Sequence, residues 1–122
     1  MKQILIVDDA ATVRMYHRSI LEDAGYGVRE AVNGLEALEQ ALACPPDLYV
    51  VDVNMPELDG YSFLRALRGH DIVQAPAIMV STEAADADRR QAFEAGANLY
   101  IVKPVKPESL LRYARLLLGE AA

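Results

Sequence analysis

The stretch that decides the fold is Leu48-Tyr49-Val50-Val51-Asp52-Val53-Asn54-Met55-Pro56-Glu57-Leu58-Asp59-Gly60. Leu48 to Val51 is apolar without alternation, which predicts a strand buried on both faces. It ends in Asp52. Pro56 interrupts the chain, and Asp59 is placed to cap a helix over Gly60 to Leu67. The same strand, turn and helix unit recurs on either side. Upstream, Ile4-Leu5-Ile6-Val7 is a strand ending in Asp8-Asp9. A helix follows from Ala10 to Ala24, with Val13, His17, Ile20, Leu21 and Ala24 on one face and Gly25 and Gly27 closing it. Val28 to Ala31 is a weaker strand, placed near a sheet edge because Arg29 and Glu30 interrupt it. Asn33-Gly34 opens a helix over Leu35 to Ala43, stopped by Pro45-Pro46. Downstream, Ala77 to Val80 is a strand ending in Ser81, and Glu83 to Ala95 is a helix closed by Gly96. Leu99 to Val102 is the last strand, and Pro107 opens a final helix to Leu118.

Five strands alternating with five helices predict an α/β fold, a doubly wound parallel sheet covered on both faces. In such sheets the ligand site lies beyond the carboxyl ends of the strands. Those positions hold Asp8 and Asp9, Asp52, Ser81 and Thr82, and Lys103. The sequence therefore delivers three carboxylates, two hydroxyls and one amine to one rim.

Length and charge narrow the function classes. A chain of 122 residues fits one domain, 1–122, with a core that needs no staples. Lys and Arg number 12 against 18 Asp and Glu, a net charge of −6, which disfavours binding to a phosphate backbone. One cysteine, Cys44, cannot form an internal disulfide, and the expectation is a reducing, cytoplasmic setting. The N-terminal apolar run is too short for a signal peptide, and no stretch approaches a membrane span.

Three neighbouring carboxylates repel one another and need protons or a cation. An all-oxygen donor set suits a hard divalent ion such as Mg²⁺. Asp8, Asp9 and Asp52 carry −3, and Mg²⁺ with Lys103 carries +3. A site balanced in this way suits an incoming phosphoryl group, with a carboxylate as nucleophile and a hydroxyl at Ser81 donating to a phosphoryl oxygen. Taken singly these residues are ordinary: an Asp pair caps helices, a Lys-Pro pair makes a solvated turn, and Ser81 or Thr82 caps the next helix. Their convergence on one rim is what points to chemistry.

Val7-Asp8-Asp9, Val51-Asp52-Val53-Asn54-Met55-Pro56 with Asp59-Gly60, Met79-Val80-Ser81-Thr82 and Tyr100-Ile101-Val102-Lys103-Pro104 together resemble the response regulator receiver domain, of the single-domain CheY-like type. The resemblance covers essentially the whole chain. It implies a flavodoxin-like (βα)5 fold with strand order 2-1-3-4-5. It makes Asp52 the phosphoacceptor for a sensor histidine kinase or its phosphotransfer domain, with Mg²⁺ held by Asp8, Asp9, Asp52 and the backbone carbonyl of Asn54. Lys103 pairs with Asp52 and then with the phosphoryl group. Ser81 is the switch hydroxyl and Tyr100 the aromatic switch residue, which turns inward as the loop after strand 4 moves. The face of helix 4, strand 5 and helix 5 then changes for a protein partner. Pro104 implies a cis Lys-Pro bond. Thr82 departs from the small residue usual there, which bears on self-dephosphorylation, and Asn54 and Glu83 flank the approach for water.

On the last helix, Leu110, Leu111, Ala114, Leu117 and Leu118 form a core stripe. Tyr113 and Leu116 fall beside it and, with Tyr100 and Lys106, make up the expected partner face. His17 reads as a packed core histidine, His70 as a loop residue without a second metal ligand, and Cys44 as a small apolar filler. With Gly119 to Ala122 alone beyond the last helix, the expectation is no output domain, and a monomeric chemotaxis-type switch, dimerising on phosphorylation as an alternative. A receiver cut from a longer regulator and a phosphorelay intermediate are the other readings. An aspartyl-phosphate hydrolase fits less well, because its second Asp is replaced by Asn54. A flavin module would need a Ser/Thr-rich loop where Asp8-Asp9 stand.

Overall fold

The computed structural model describes residues 1–120. In chain order the elements are β1 (Gln3–Val7), α1 (Ala11–Asp23), β2 (Gly27–Ala31), α2 (Gly34–Ala43), β3 (Leu48–Asp52), α3 (Gly60–Arg68), β4 (Ala77–Ser81), α4 (Asp86–Ala95), β5 (Leu99–Val102) and α5 (Pro107–Leu117). All neighbouring strands pair in parallel, in the order β2-β1-β3-β4-β5. The interrupted strand β2 lies at an edge, as its two charged residues require.

Alternation along each strand splits the apolar residues between two cores. Leu5, Val7, Tyr49, Val51 and Met79 point to the layer of α2, α3 and α4, where they meet Ala37, Phe63, Leu64 and Ala92. Ile4, Ile6, Val50, Ile78 and Val80 point to α1 and α5, where they meet Leu21, Leu110 and Ala114. With both faces covered, β1, β3 and β4 can carry the unbroken apolar runs Ile4–Val7, Leu48–Val51 and Ala77–Val80.

Helix ends follow local chemistry. Asn33 and Asp59 cap α2 and α3, each accepting from the backbone N–H three residues on, at 2.8 Å. Gly96 ends α4 in the left-handed region at φ 114°, a conformation that favours glycine.

Three expectations are corrected. Helix α4 begins at Asp86, three residues after the expected Glu83, because the backbone of Glu83 is bonded elsewhere: its N–H donates to Ser81 Oγ (3.0 Å) and its carbonyl accepts from the Tyr100 hydroxyl (2.7 Å). Ser81 and Thr82 therefore cap nothing, and the N-cap Ala85 has no side-chain bond to give. Cys44 is exposed at the end of α2 and fills no core. Helix α5 stops at Leu117, with Leu118 as its cap.

Candidate functional site

Strand register places the site. Val7 pairs with Val51, Asp52 with Val80, and Ser81 with Val102. The residues following β1, β3, β4 and β5 thus share one edge of the sheet. One oxygen each from Asp8, Asp9 and Asp52 lies within 4.8 Å of the others. Asp8 and Asp52 are 3% and 7% exposed, whereas Asp9 faces solvent. The cluster is therefore a shallow acidic pocket with two buried walls and one wet one. Its donors are all hard oxygens, and they fit a divalent cation of the Mg²⁺ type.

Lys103 reaches across from the end of β5. Its Nζ lies 2.8 Å from Asp52 Oδ1 and 3.4 Å from Asp8 Oδ2. Burial works to lower the Lys103 pKa, but the two carboxylates outweigh it and hold the amine above its ordinary value, so it is charged. Asp52 is pushed above the usual carboxylate value, first by burial and further by Asp8 and Asp9, against the pull of Lys103. The ionised trio is thus electrostatically costly by itself, and a bound cation relieves it. The peptide between Lys103 and Pro104 is cis, as the resemblance implied.

The backbone under Asp52 is held from below. Gly60 N–H donates to the Val53 carbonyl at 2.9 Å, and Val53 N–H donates to the Val80 carbonyl at 3.1 Å. A Cβ on Gly60 would collide with the Asp52 carbonyl oxygen and stand 3.0 Å from Val53 Cα. Only glycine lets the first turn of α3 pack this closely.

The remaining expected residues divide into two groups. Ser81 is buried at the rim, and its Oγ accepts from Glu83 N–H. Asn54 and Thr82 are exposed at the pocket mouth. Tyr100 is turned inward, 8% exposed, with Arg89 stacked 5.2 Å above its ring. Glu83 thus ties Ser81 to Tyr100 through its own main chain, a link that sequence reading missed. Tyr100, Lys106 and Tyr113 line one groove of about 410 Å³, together with Arg89, Pro104 and Ser109. Leu116 is not with them. It is 65% exposed and lines a separate hollow beside Arg68 and Gly96. His17 is buried as expected, and burial lowers its pKa. His70 stands alone, its ring nitrogen 2.7 Å from the Ala66 carbonyl.

With this geometry in view, the similarities are informative. A family model described as the response regulator receiver domain matches residues 4–115. The chain is 38% identical over 120 residues to the transcriptional regulatory protein ResD of Bacillus subtilis, covering 98% of this chain and 49% of ResD. It is 36% identical over 116 residues to the transcriptional regulatory protein SrrA of Staphylococcus aureus, covering 95% and 47%. The chain therefore spans about half the length of these curated relatives. Among solved structures, the chemotaxis protein CheY4 of Vibrio cholerae superimposes with a TM-score of 0.90 at 35% identity, covering 96% of this chain and 98% of that one. A CheY-like receiver domain protein from Methanospirillum hungatei superimposes at 0.88 and 32% identity, covering 98% and 94%.

Proposed function

This chain belongs to the response regulator receiver domain family, a signalling domain of two-component systems, and from that premise we propose that Asp52 is its phosphoacceptor. The observation that carries this reading is the Asp52 carboxylate itself. It is buried, paired with Lys103 at 2.8 Å and gathered with Asp8 and Asp9. A sensor histidine kinase, or its phosphotransfer domain, is the donor. An Asp52 oxygen attacks phosphorus in line as the phosphorus–nitrogen bond of the phosphohistidine breaks, and the imidazole leaves with its electron pair. Asp8, Asp9, Asp52 and the Asn54 carbonyl would hold Mg²⁺, which when bound would supply positive charge for the phosphoryl oxygens.

The chain's own residues do the rest. Lys103 exchanges part of its bond to Asp52 for a phosphoryl oxygen. Ser81 uses its oxygen to accept from Glu83 N–H, which leaves its own proton free to donate to the phosphoryl group. That bond draws on Glu83, whose carbonyl holds the Tyr100 hydroxyl. The change is thereby passed to the groove between α4 and α5, where a protein partner binds. The phosphoryl group shifts the equilibrium only through contacts that differ between the two states.

The likeness to CheY4 supports a chemotaxis-type role. The half-length match to ResD and SrrA supports a second reading, in which this chain is the receiver portion of a longer regulator. Intact mass after incubation with Mg²⁺ and acetyl phosphate tests the common core of both. One phosphoryl adduct is expected on the wild type, and none on Asp52→Asn or without Mg²⁺. An adduct that persists in Asp52→Asn would refute the assignment.

A further inference from the structure

Helix α1 starts without the usual support. Its N-cap, Ala10, offers no side-chain acceptor, so the loop carrying Asp8 and Asp9 must be held by other bonds. One lies within the loop, where Ala10 N–H donates to Asp8 Oδ1 at 2.9 Å, and one ties the loop to the end of the neighbouring strand β2, where Asp8 N–H donates to the Ala31 carbonyl at 3.1 Å. The third comes from one turn along α1. Arg14 Nη1 donates to the Asp8 main-chain carbonyl at 2.8 Å. That oxygen belongs to the peptide joining Asp8 to Asp9.

Arg14 is itself anchored. Its Nε donates to Glu30 Oε1 at 2.8 Å, from the neighbouring edge strand β2. The other oxygen of Glu30 is held by Arg18 at 2.6 Å, and Arg18 also contacts Glu22 at 3.1 Å. Glu30 sits below the ordinary carboxylate pKa, chiefly through its bond to Arg18, and keeps its charge. Arg14 is largely buried, its side chain 15% exposed, so the bond to the carbonyl is shielded from competing water. A planar guanidinium with several fixed donors can hold a carboxylate and a carbonyl at once; an ammonium cannot match that geometry.

We infer that Arg14, locked by Glu30, is a positioning residue that sets the Asp8–Asp9 peptide for divalent-cation binding. The inference rests on the reading of the acidic pocket as a Mg²⁺ site. Its direction is opposite to simple electrostatics. A positive charge beside an acidic pocket repels a cation, so if charge alone mattered, removing Arg14 would tighten Mg²⁺ binding. A positioning role requires that removal weaken it. The loss of an outer-shell partner commonly costs about tenfold or more in metal affinity.

The test is calorimetric titration of Mg²⁺ into the intact wild-type chain and into Arg14→Met, Arg14→Lys and Glu30→Gln. Amide exchange at Asp9 and Ala10 in the metal-free proteins, and urea melts, are recorded alongside. Arg14→Met keeps the aliphatic stem, and is expected to weaken Mg²⁺ about tenfold and to speed exchange at Asp9 and Ala10. Arg14→Lys keeps the charge and should lie between it and the wild type. Glu30→Gln should fall in the same direction as Arg14→Met, by less. Tighter or unchanged Mg²⁺ binding in a folded Arg14→Met overturns the inference while leaving the metal site intact. Should Arg14→Met not fold, wild-type affinity and exchange in Arg14→Lys would overturn it equally. A wild type that binds no Mg²⁺ refutes the underlying reading instead.

Discussion

At the residue scale, His17 gives stability a pH signature. It is 3% exposed, and its Nδ1 has no partner. Burial lowers its pKa, with Lys103 adding to the effect and Asp8 opposing it. The folded state thus holds the ring neutral, whereas the unfolded chain protonates it near pH 6.5. Its contribution to stability is complete above about pH 6.5 and is lost as pH falls through that value toward the depressed folded one, at up to ~1.4 kcal/mol per pH unit. Urea melts in EDTA between pH 7.5 and 5 should show that slope flattened in His17→Leu. Equal slopes in the two proteins would remove this account. A second residue, Ser81, separates acceptance from response. Ser81→Ala should still take up the phosphoryl group while losing much of its phosphorylation-dependent partner affinity, as followed by titration of a cognate partner peptide or domain. An unchanged response would show that the link through Glu83 carries nothing.

At the element scale, the close packing of α3 under β3 makes Gly60 a structural requirement. Gly60→Ala must push the first turn of α3 off the Asp52 carbonyl. A loss of about 1–3 kcal/mol is expected, as for other overpacked sites. Uptake from acetyl phosphate should also slow, because the acceptor moves with its strand; denaturant melts and timed mass spectra measure the two effects. The elements also show what could be read beforehand. Strands β1, β3 and β4 were legible because doubly covered parallel strands are plain apolar runs, and so the rim residues that follow them were legible too. The start of α4 was not, because the bonds that delay it come from Ser81 and Tyr100, and the latter is 17 residues away in the chain. Arg14 was equally hidden. Its partner Glu30 lies 16 residues on, and the two meet only because β2 pairs with β1. The separation of Leu116 from the Tyr100 groove depends on how α5 sits over the sheet, which helical periodicity alone does not give.

At the scale of the whole molecule, stability and function pull against each other at the acidic pocket. Like charges gathered at the end of a sheet oppose folding, and a ligand that binds only the folded state opposes unfolding. Mg²⁺ at about a hundred times its dissociation constant should stabilise the chain by about 2.7 kcal/mol. Asp9→Asn should raise stability in EDTA and abolish most of the gain from Mg²⁺, as read from paired melts. A variant that loses stability in EDTA would mean that Asp9 supports the fold in some other way. The described residues contain no helix long and apolar enough to cross a membrane, and the net charge of −6 keeps the surface acidic.

The grip of Gly60 on the Asp52 backbone also gives the device a direction. Asp52, the proposed acceptor, stands on a fixed frame: β3 is buried at every position, and α3 is clamped to its end. Across the pocket, α4 begins without a side-chain cap and buries only Ala92 and Ala95. If Asp52 takes a phosphoryl group as proposed, force generated there meets a stator on one side and a lever on the other. On the proposed reading, the displacement goes to the lever, and the message is expected to leave through α4 and β5 whichever partner waits there.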